Sequence, residues 1–275
     1  MNKGMIVLAV LVASMSVGAL AVGFMGPPTA ELKQGQWNLG YNYTYSDMDL
    51  EKTSLKWAWF DVGVFDEGGA GKIQFKNFKT QRHYIAIGYG LADWWEVYAQ
   101  LGLADVKTKG NAVYDDGDSW KGGINFDNDF AWGLGTRFTF AEQDKVKWGL
   151  SAQMNWLDTS WDEKGSEDGE ITYLWKDTID IESFDLLVAL GPTVDMGCWK
   201  LYGGPFYYYL NGDYDYKSVD NLGWVYKESA DLEEDSSFGG FIGAIFPIGN
   251  NMDWTTEFSA TGDGWAIGTG IGWKF

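Results

Sequence analysis

The chain ends in Trp265-Ala266-Ile267-Gly268-Thr269-Gly270-Ile271-Gly272-Trp273-Lys274-Phe275. Bulky residues (Trp265, Ile267, Thr269, Ile271, Trp273, Phe275) hold every second position, and Ala266, Gly268, Gly270, Gly272 and Lys274 hold the positions between. A period of two belongs to a strand with two unlike faces, here one large and apolar and one small or polar. The same alternation recurs over 37–45, 95–103, 130–140 and 146–156. Strands of about ten residues are long enough to cross a bilayer at a tilt.

Less regular segments extend the pattern to ten expected strands, near 35–50, 73–90, 94–105, 128–140, 146–156, 181–193, 198–210, 237–248, 253–261 and 265–275. Their connectors alternate between short (90–93, 141–145, 194–197, 249–252) and long (51–72, 106–127, 157–180, 211–236), apart from a short last one at 262–264. The expected fold is therefore all-β: a closed antiparallel up-and-down transmembrane β-barrel of about ten strands, with short periplasmic turns and long acidic extracellular loops. Eight strands is an alternative, and so is twelve, because Trp57, Trp59 and Phe60 would suit a further hairpin in 51–72.

Composition supports lipid rather than water outside this sheet. Hydrophobic residues make up 45% of the 275, yet mean hydropathy is −0.23, so apolar and polar residues are interleaved and a helical membrane bundle is disfavoured. A soluble sandwich would carry Lys and Glu on its outer face. Here the polar face is mostly Gly, Ser, Thr, Asn and Gln, which suits a narrow interior where Gly268, Gly270 and Gly272 leave room for neighbours such as Tyr98 or Arg137. Tryptophans near strand ends, among them Trp37, Trp94, Trp148, Trp254 and Trp273, would make two interfacial girdles.

Residues 1–21 read as a signal peptide: Lys3, an apolar stretch from Ile6 to Leu20, and a small-x-small cleavage site ending at Ala21. The domain reading is signal peptide 1–21, periplasmic N-terminal segment 22–34 and barrel 35–275. The single cysteine, Cys198, allows no internal disulfide. A formal net charge of −19 disfavours a nucleic-acid partner.

The terminal pattern of Trp265, Ile267, Ile271, Trp273 and Phe275 resembles the C-terminal strand of Gram-negative bacterial outer-membrane β-barrel proteins. The resemblance covers the pattern of residues 35–275. It implies the outer membrane of the cell envelope as location, outer-membrane lipids as surroundings and recognition of that strand by the barrel-assembly machinery.

Enzymes of that superfamily mostly use a histidine in acid–base chemistry. The one histidine, His83, has the parity of Ile85 and Ile87, which aims it at lipid, so no enzyme activity, catalytic residue or cofactor is expected. One His and one Cys cannot cage a transition metal. Asp115, Asp116 and Asp118, and Glu233, Glu234 and Asp235, are weak calcium or magnesium candidates without EF-hand spacing. The simpler reading is a solvated surface, with divalent cations bridging acids loosely to lipid headgroups as a middle course.

The lumen face carries Glu96, Asp185 and Glu257 against Arg82, Arg137, Lys147 and Lys274, forming either a salt-bridged plug or a polar constriction. Two functions remain open. One is a narrow porin-like channel for small ions with a cation preference. The other is a non-conducting structural or adhesive surface protein binding partners through loops that carry Tyr114, Trp120, Trp161, Tyr173, Trp175, Tyr214, Tyr216, Trp224 and Tyr226. Those aromatics would equally suit long strands continuing above the membrane.

Overall fold

The computed structural model describes residues 23–167, 173–234 and 237–275; the expected signal peptide with its Ala21 cleavage site, and Asp235, lie outside them. Twelve antiparallel strands form one sheet: β1 (Trp37–Met48), β2 (Thr53–Asp61), β3 (Val64–Ala92), β4 (Trp95–Tyr114), β5 (Ser119–Gln143), β6 (Val146–Glu167), β7 (Tyr173–Asp195), β8 (Lys200–Asp220), β9 (Trp224–Glu233), β10 (Phe238–Ile248), β11 (Met252–Ala260) and β12 (Gly264–Lys274). Ten of them close a ring. Leu39 of β1 pairs with Trp273 of β12 on one side and with Ile87 of β3 on the other, and β3 to β8 and β10 to β12 complete the circuit.

The strands β1, β10, β11 and β12 are short and stop at a common height. Above them β2 and β9 pair with each other, β2 with β3, and β9 with β8. The upper wall therefore has eight strands, and much of what the sequence reads as long loops at 51–72, 106–127, 157–180 and 211–236 is strand. The suspected hairpin in 51–72 is β2 with the start of β3.

The reason those segments escape the periodicity is that the two faces exchange polarity partway up. On the lower part of β6 to β8 the outward residues are Met154, Trp156, Phe184, Leu186 and Tyr209; one step higher they are Asp158, Glu182, Asn211 and Asp213. Inward, the polar Asn155 and Asp185 give way to buried Leu157, Ile181 and Ile179. In β3 a bulge between Lys76 and Lys79, with Asn77 at φ 49°, shifts the parity, so that Ile73 and Phe75 point inward although Ile85 and Ile87 point out.

Inside, the lower ring is filled. Residues 23–34, expected below the barrel as a periplasmic segment, instead run down through the bore, from Gly23 beside Arg82 to Gln34 at Asp93; Met25, Thr29, Ala30 and Leu32 are buried there. Two buried carboxylates account for this, since each would otherwise be left short of donors. Glu96 accepts the backbone N–H groups of Glu31 (2.7 Å) and Leu32 (2.9 Å), and Glu257 accepts that of Met25 (3.1 Å). Thr29 meets Thr193 at 2.7 Å, the Ala30 N–H donates to the Thr139 hydroxyl, and Lys200 pairs with Glu31. The small lumen face makes the space: Phe24 packs on Gly268, and a Cβ at Gly149 would stand 2.4 Å from the Pro28 carbonyl oxygen. Gly135 is the position that accommodates Tyr98.

A leucine at Gly149 should therefore expel the segment. The expected outcome for Gly149→Leu in detergent micelles is a loss of about 1–3 kcal/mol from the urea-unfolding free energy, the usual cost of overpacking, together with new protease cleavage within 23–34. Unchanged protection of 23–34 would contradict this packing.

Candidate functional site

The lumen charges sort into two tiers and a rim. At the first tier Arg137 pairs with Glu96 (2.7 Å), donates to the Met25 carbonyl (2.7 Å) and lies over the Tyr98 ring at 4.6 Å. At the second, Arg82 pairs with Asp185 at 2.9 Å, and Asp185 also accepts from Asn155, whose amide oxygen accepts from Gln100 at 2.6 Å. Glu257 is buried beside Met25. Lys147 and Lys274 lie at the lower rim on Glu142 and Asp253. These residues are brought together as a packed polar interior; a cavity of about 100 Å³ remains at the first tier and one of about 10 Å³ beside Arg82.

Above the second tier an apolar core closes the tube, with Leu55, Ile73, Phe75, Phe126, Ile181 and Leu232 all buried to within 2%. Over that floor the upper wall encloses a cavity of about 630 Å³. Alternate positions of the strands deliver its lining: Trp57 and Trp59 from β2, Tyr114 from the end of β4, Trp120 and Ile124 from β5, Trp161 from β6, Asp177 and Ile179 from β7, Tyr214 and Tyr216 from β8, Tyr226 and Glu228 from β9. The β4–β5 turn adds Asp116 and Asp118, whose N–H donates to the Asp116 carboxylate at 2.9 Å. Four carboxylates and no basic residue line this cup, among the described residues.

Glu228 is buried and accepts the hydroxyls of both Tyr114 and Tyr226. Burial, and then the Glu228 carboxylate, hold both phenols well above their ordinary value of 10, and burial with Asp177 nearby pushes Tyr216 up to about 12. The cup thus keeps neutral hydroxyl donors around a buried carboxylate. Trp57 Nε1 and Asp177 Oδ1 are buried and lack a hydrogen-bond partner among the described residues: one donor and one acceptor left over in one cavity.

The wall of the cup is incomplete on one side. The β5–β6 pairing runs only up to Ala131↔Leu157; above it the two strands diverge. At the parting point the Asp129 carboxylate accepts from the Thr159 hydroxyl and from the Ser160 N–H, which would otherwise face β5. Each strand keeps its other partner, β4 for β5 and β7 for β6. Two facing edges are left, with Trp120, Ile124 and Trp161 between them and the cup.

The remaining sequence candidates fall elsewhere. His83 faces outward, with its Nδ1 2.7 Å from the Tyr41 hydroxyl and its ring against Tyr43. Among the described residues no three His, Cys, Asp or Glu side chains converge on a metal position. Glu234 caps backbone instead, accepting from the Leu210 N–H at 2.8 Å, and Asp115 stands at the turn outside the cup lining. Of the loop aromatics, Tyr114, Trp120, Trp161, Tyr214, Tyr216 and Tyr226 line the cup, while Trp175 and Trp224 do not. Sequence reasoning misses Glu228 and Asp177, which reach the cup only through strand pairing. The Trp265, Ile267, Ile271, Trp273 and Phe275 series lies on the outer face of β12 and its end.

No protein-family model and no curated protein matches the chain. Among solved structures it is similar to the outer membrane protease OmpT of Escherichia coli, at 11% identity and a TM-score of 0.48 over 86% of this chain and 97% of that one. It is also similar to the outer membrane protein OprG of Pseudomonas aeruginosa (10% identity, TM-score 0.36, 88% and 97%) and to the toluene transporter TodX of Pseudomonas putida (9%, 0.40, 94% and 99%). The structures it resembles are Gram-negative outer-membrane β-barrel proteins.

Glu228→Gln tests the cup's electrostatics. Because the folded phenol pKa values are raised, the tyrosine-to-Glu228 bonds hold through the pH range in which free tyrosine ionises and are lost only as the pH climbs further. In the variant, Tyr114 and Tyr226 should begin to ionise at lower pH, read as earlier tyrosinate absorbance in an alkaline titration. Superimposable titrations would contradict the arrangement.

Proposed function

We infer that this chain is an outer-membrane β-barrel protein whose bore is shut and whose outer cup binds a ligand. The observation that carries the first half is the polarity exchange: exposed Leu39, Ile85, Leu101, Leu134, Ile242, Phe258 and Ile271 belt the lower ring, and outward carboxylates begin two residues above Trp156 and Phe184, at Asp158 and Glu182. The stacked outward pair Trp132–Trp156, centroids 4.1 Å apart, suits the bilayer's outer edge. The observation that carries the second half is the contrast between a bore filled by residues 23–34, two ion-paired tiers and an apolar floor, and a cup of about 630 Å³ lined by aromatics and four carboxylates without a base among the described residues.

Against the channel reading stands the lack of an open polar path through the second tier. The acidic mouth that would favour cations instead serves the cup. Just above the belt, Asp158, Glu182, Asp213 and Asp231 are direct cross-strand neighbours and exposed, an arrangement that supports loose bridging by divalent cations to anionic headgroups. The terminal β12 strand, with Phe275 at its end, supports handling by the barrel-assembly machinery.

Two measurements test this reading. In planar bilayers the purified protein should carry no steady current; a steady cation-selective current would restore the channel. In liposomes, Leu134→Arg should cost about 2–4 kcal/mol of unfolding free energy, whereas Asp158→Arg, above the belt, should cost about 0–1. Equal costs would place lipid elsewhere.

A further inference from the structure

The open side of the cup is bounded by two strand edges that are not paired with each other above Ala131↔Leu157. Backbone N–H and C=O groups on the edges of β5 (119–126) and β6 (158–165) have no partner strand across the fork, and the Ser160 N–H is satisfied only because Asp129 reaches over to it. Unpaired edges are templates for an added strand. Most sheets blunt them; here two face each other across an aromatic cavity. A strand lying between them would send alternate side chains into the cup and the others to solvent.

The cup specifies what those inward side chains should be. Its charged groups are Asp116, Asp118, Asp177 and Glu228, with no base among the described lining residues; Glu163 stands directly across from Asp177 on the same face of the sheet, and the outer side of β6 adds Asp158. Indole and phenol faces of Trp57, Trp161 and Tyr214 favour a cation with an apolar stem, and the orphaned Asp177 Oδ1 is placed to accept a hydrogen bond from it. We propose that the β5–β6 fork docks one extended, basic polypeptide segment by strand addition, with its Lys or Arg side chains in the acidic aromatic cup. This rests on the reading of the cup as a binding site and names its ligand.

The probe is a fluorescently labelled synthetic octapeptide alternating lysine and leucine, titrated onto the full chain in detergent micelles. Its twin carries backbone N-methyl groups on alternate residues, which removes donors on one edge and keeps every charge. The twin should bind about tenfold or more weakly, the effect of losing several backbone hydrogen bonds of about 1 kcal/mol each. Equal affinity would overturn strand addition.

A second variant controls for folding. Continuing the register of Ala131↔Leu157 through the one-residue shift of β5 between Phe126 and Asp129 places Asn125 opposite Asp162. In a Cys198→Ala background, Asn125→Cys with Asp162→Cys should bind the octapeptide before treatment with a bismaleimide linker and lose it after the fork is bridged. Retained binding after bridging overturns the proposal. So does octapeptide binding absent throughout while tetramethylammonium still quenches the cup tryptophans, an outcome that leaves the cup a binding site for small cations. Dimerisation through the same edges, seen by sedimentation and abolished by the bridge, would replace the polypeptide with a second copy. Steady conductance in bilayers would remove the underlying reading itself.

Discussion

In hydrocarbon a backbone amide has only the protein to bond with, and on the proposed placement in a membrane that requirement organises everything below the outer tryptophans. Ten strands satisfy it by closing on themselves, with β1 spliced between β3 and β12 in continuous register. An edge at that depth would cost several kcal/mol per exposed group. Above the belt water can satisfy an open edge, and there the structure stops insisting on closure. Four strands end, two new ones patch the wall, and β5 and β6 part. On the proposed placement the fork is tolerable because it stands above the point where lipid gives out.

The change of solvent also explains the inverted faces. Below, the cheap arrangement is apolar outside and polar inside; above, it is the reverse, so every long strand must switch which face is greasy. On β3 the switch uses the bulge at Asn77, and on β5 inward positions move from Ile124 and Phe126 to Ala131 and Gly133 across a register shift. On β6 and β7 the parity stays and the residue types change instead, Asn155 and Asp185 below, Leu157 and Ile181 above. Either device lets one continuous hydrogen-bonded strand serve two media.

This is why the lower ring was legible and the upper wall was not. Residues 265–275 keep one parity and one solvent throughout, so their period is unbroken. In 106–127 the inward set, Val106, Ala112, Ile124 and Phe126, is interrupted by the β4–β5 turn and diluted by Lys and Gly, and the stretch reads as a loop. The segment 23–34 has no period at all. Its signal was indirect: a lumen face of glycines too small for the side chains opposite, and carboxylates at Glu96 and Glu257 with too few donors on neighbouring strands. Tyr114, Trp120 and Tyr226 were recognisable as loop-level aromatics, but that they share one cavity with Glu228 is a property of pairing across β4, β5 and β9, which spacing along the chain does not encode.

The same bookkeeping separates the two acidic populations. Glu96 and Asp185 are buried and each is matched by a guanidinium, while buried Glu257 accepts the Met25 N–H through one oxygen and leaves the other without a partner among the described residues. A partner removed from such a set leaves an uncompensated charge costing about 3–5 kcal/mol, which is a strong reason for the bore to stay packed. Asp116, Asp118 and Asp177 face the cup without any base, and Asp177 has an oxygen that nothing among the described residues answers. Carboxylates held together without counter-charge repel one another, and the repulsion is relieved when a cation arrives. The cup, whose carboxylates have no counter-charge among the described lining residues, is therefore where a positively charged ligand has the most to gain.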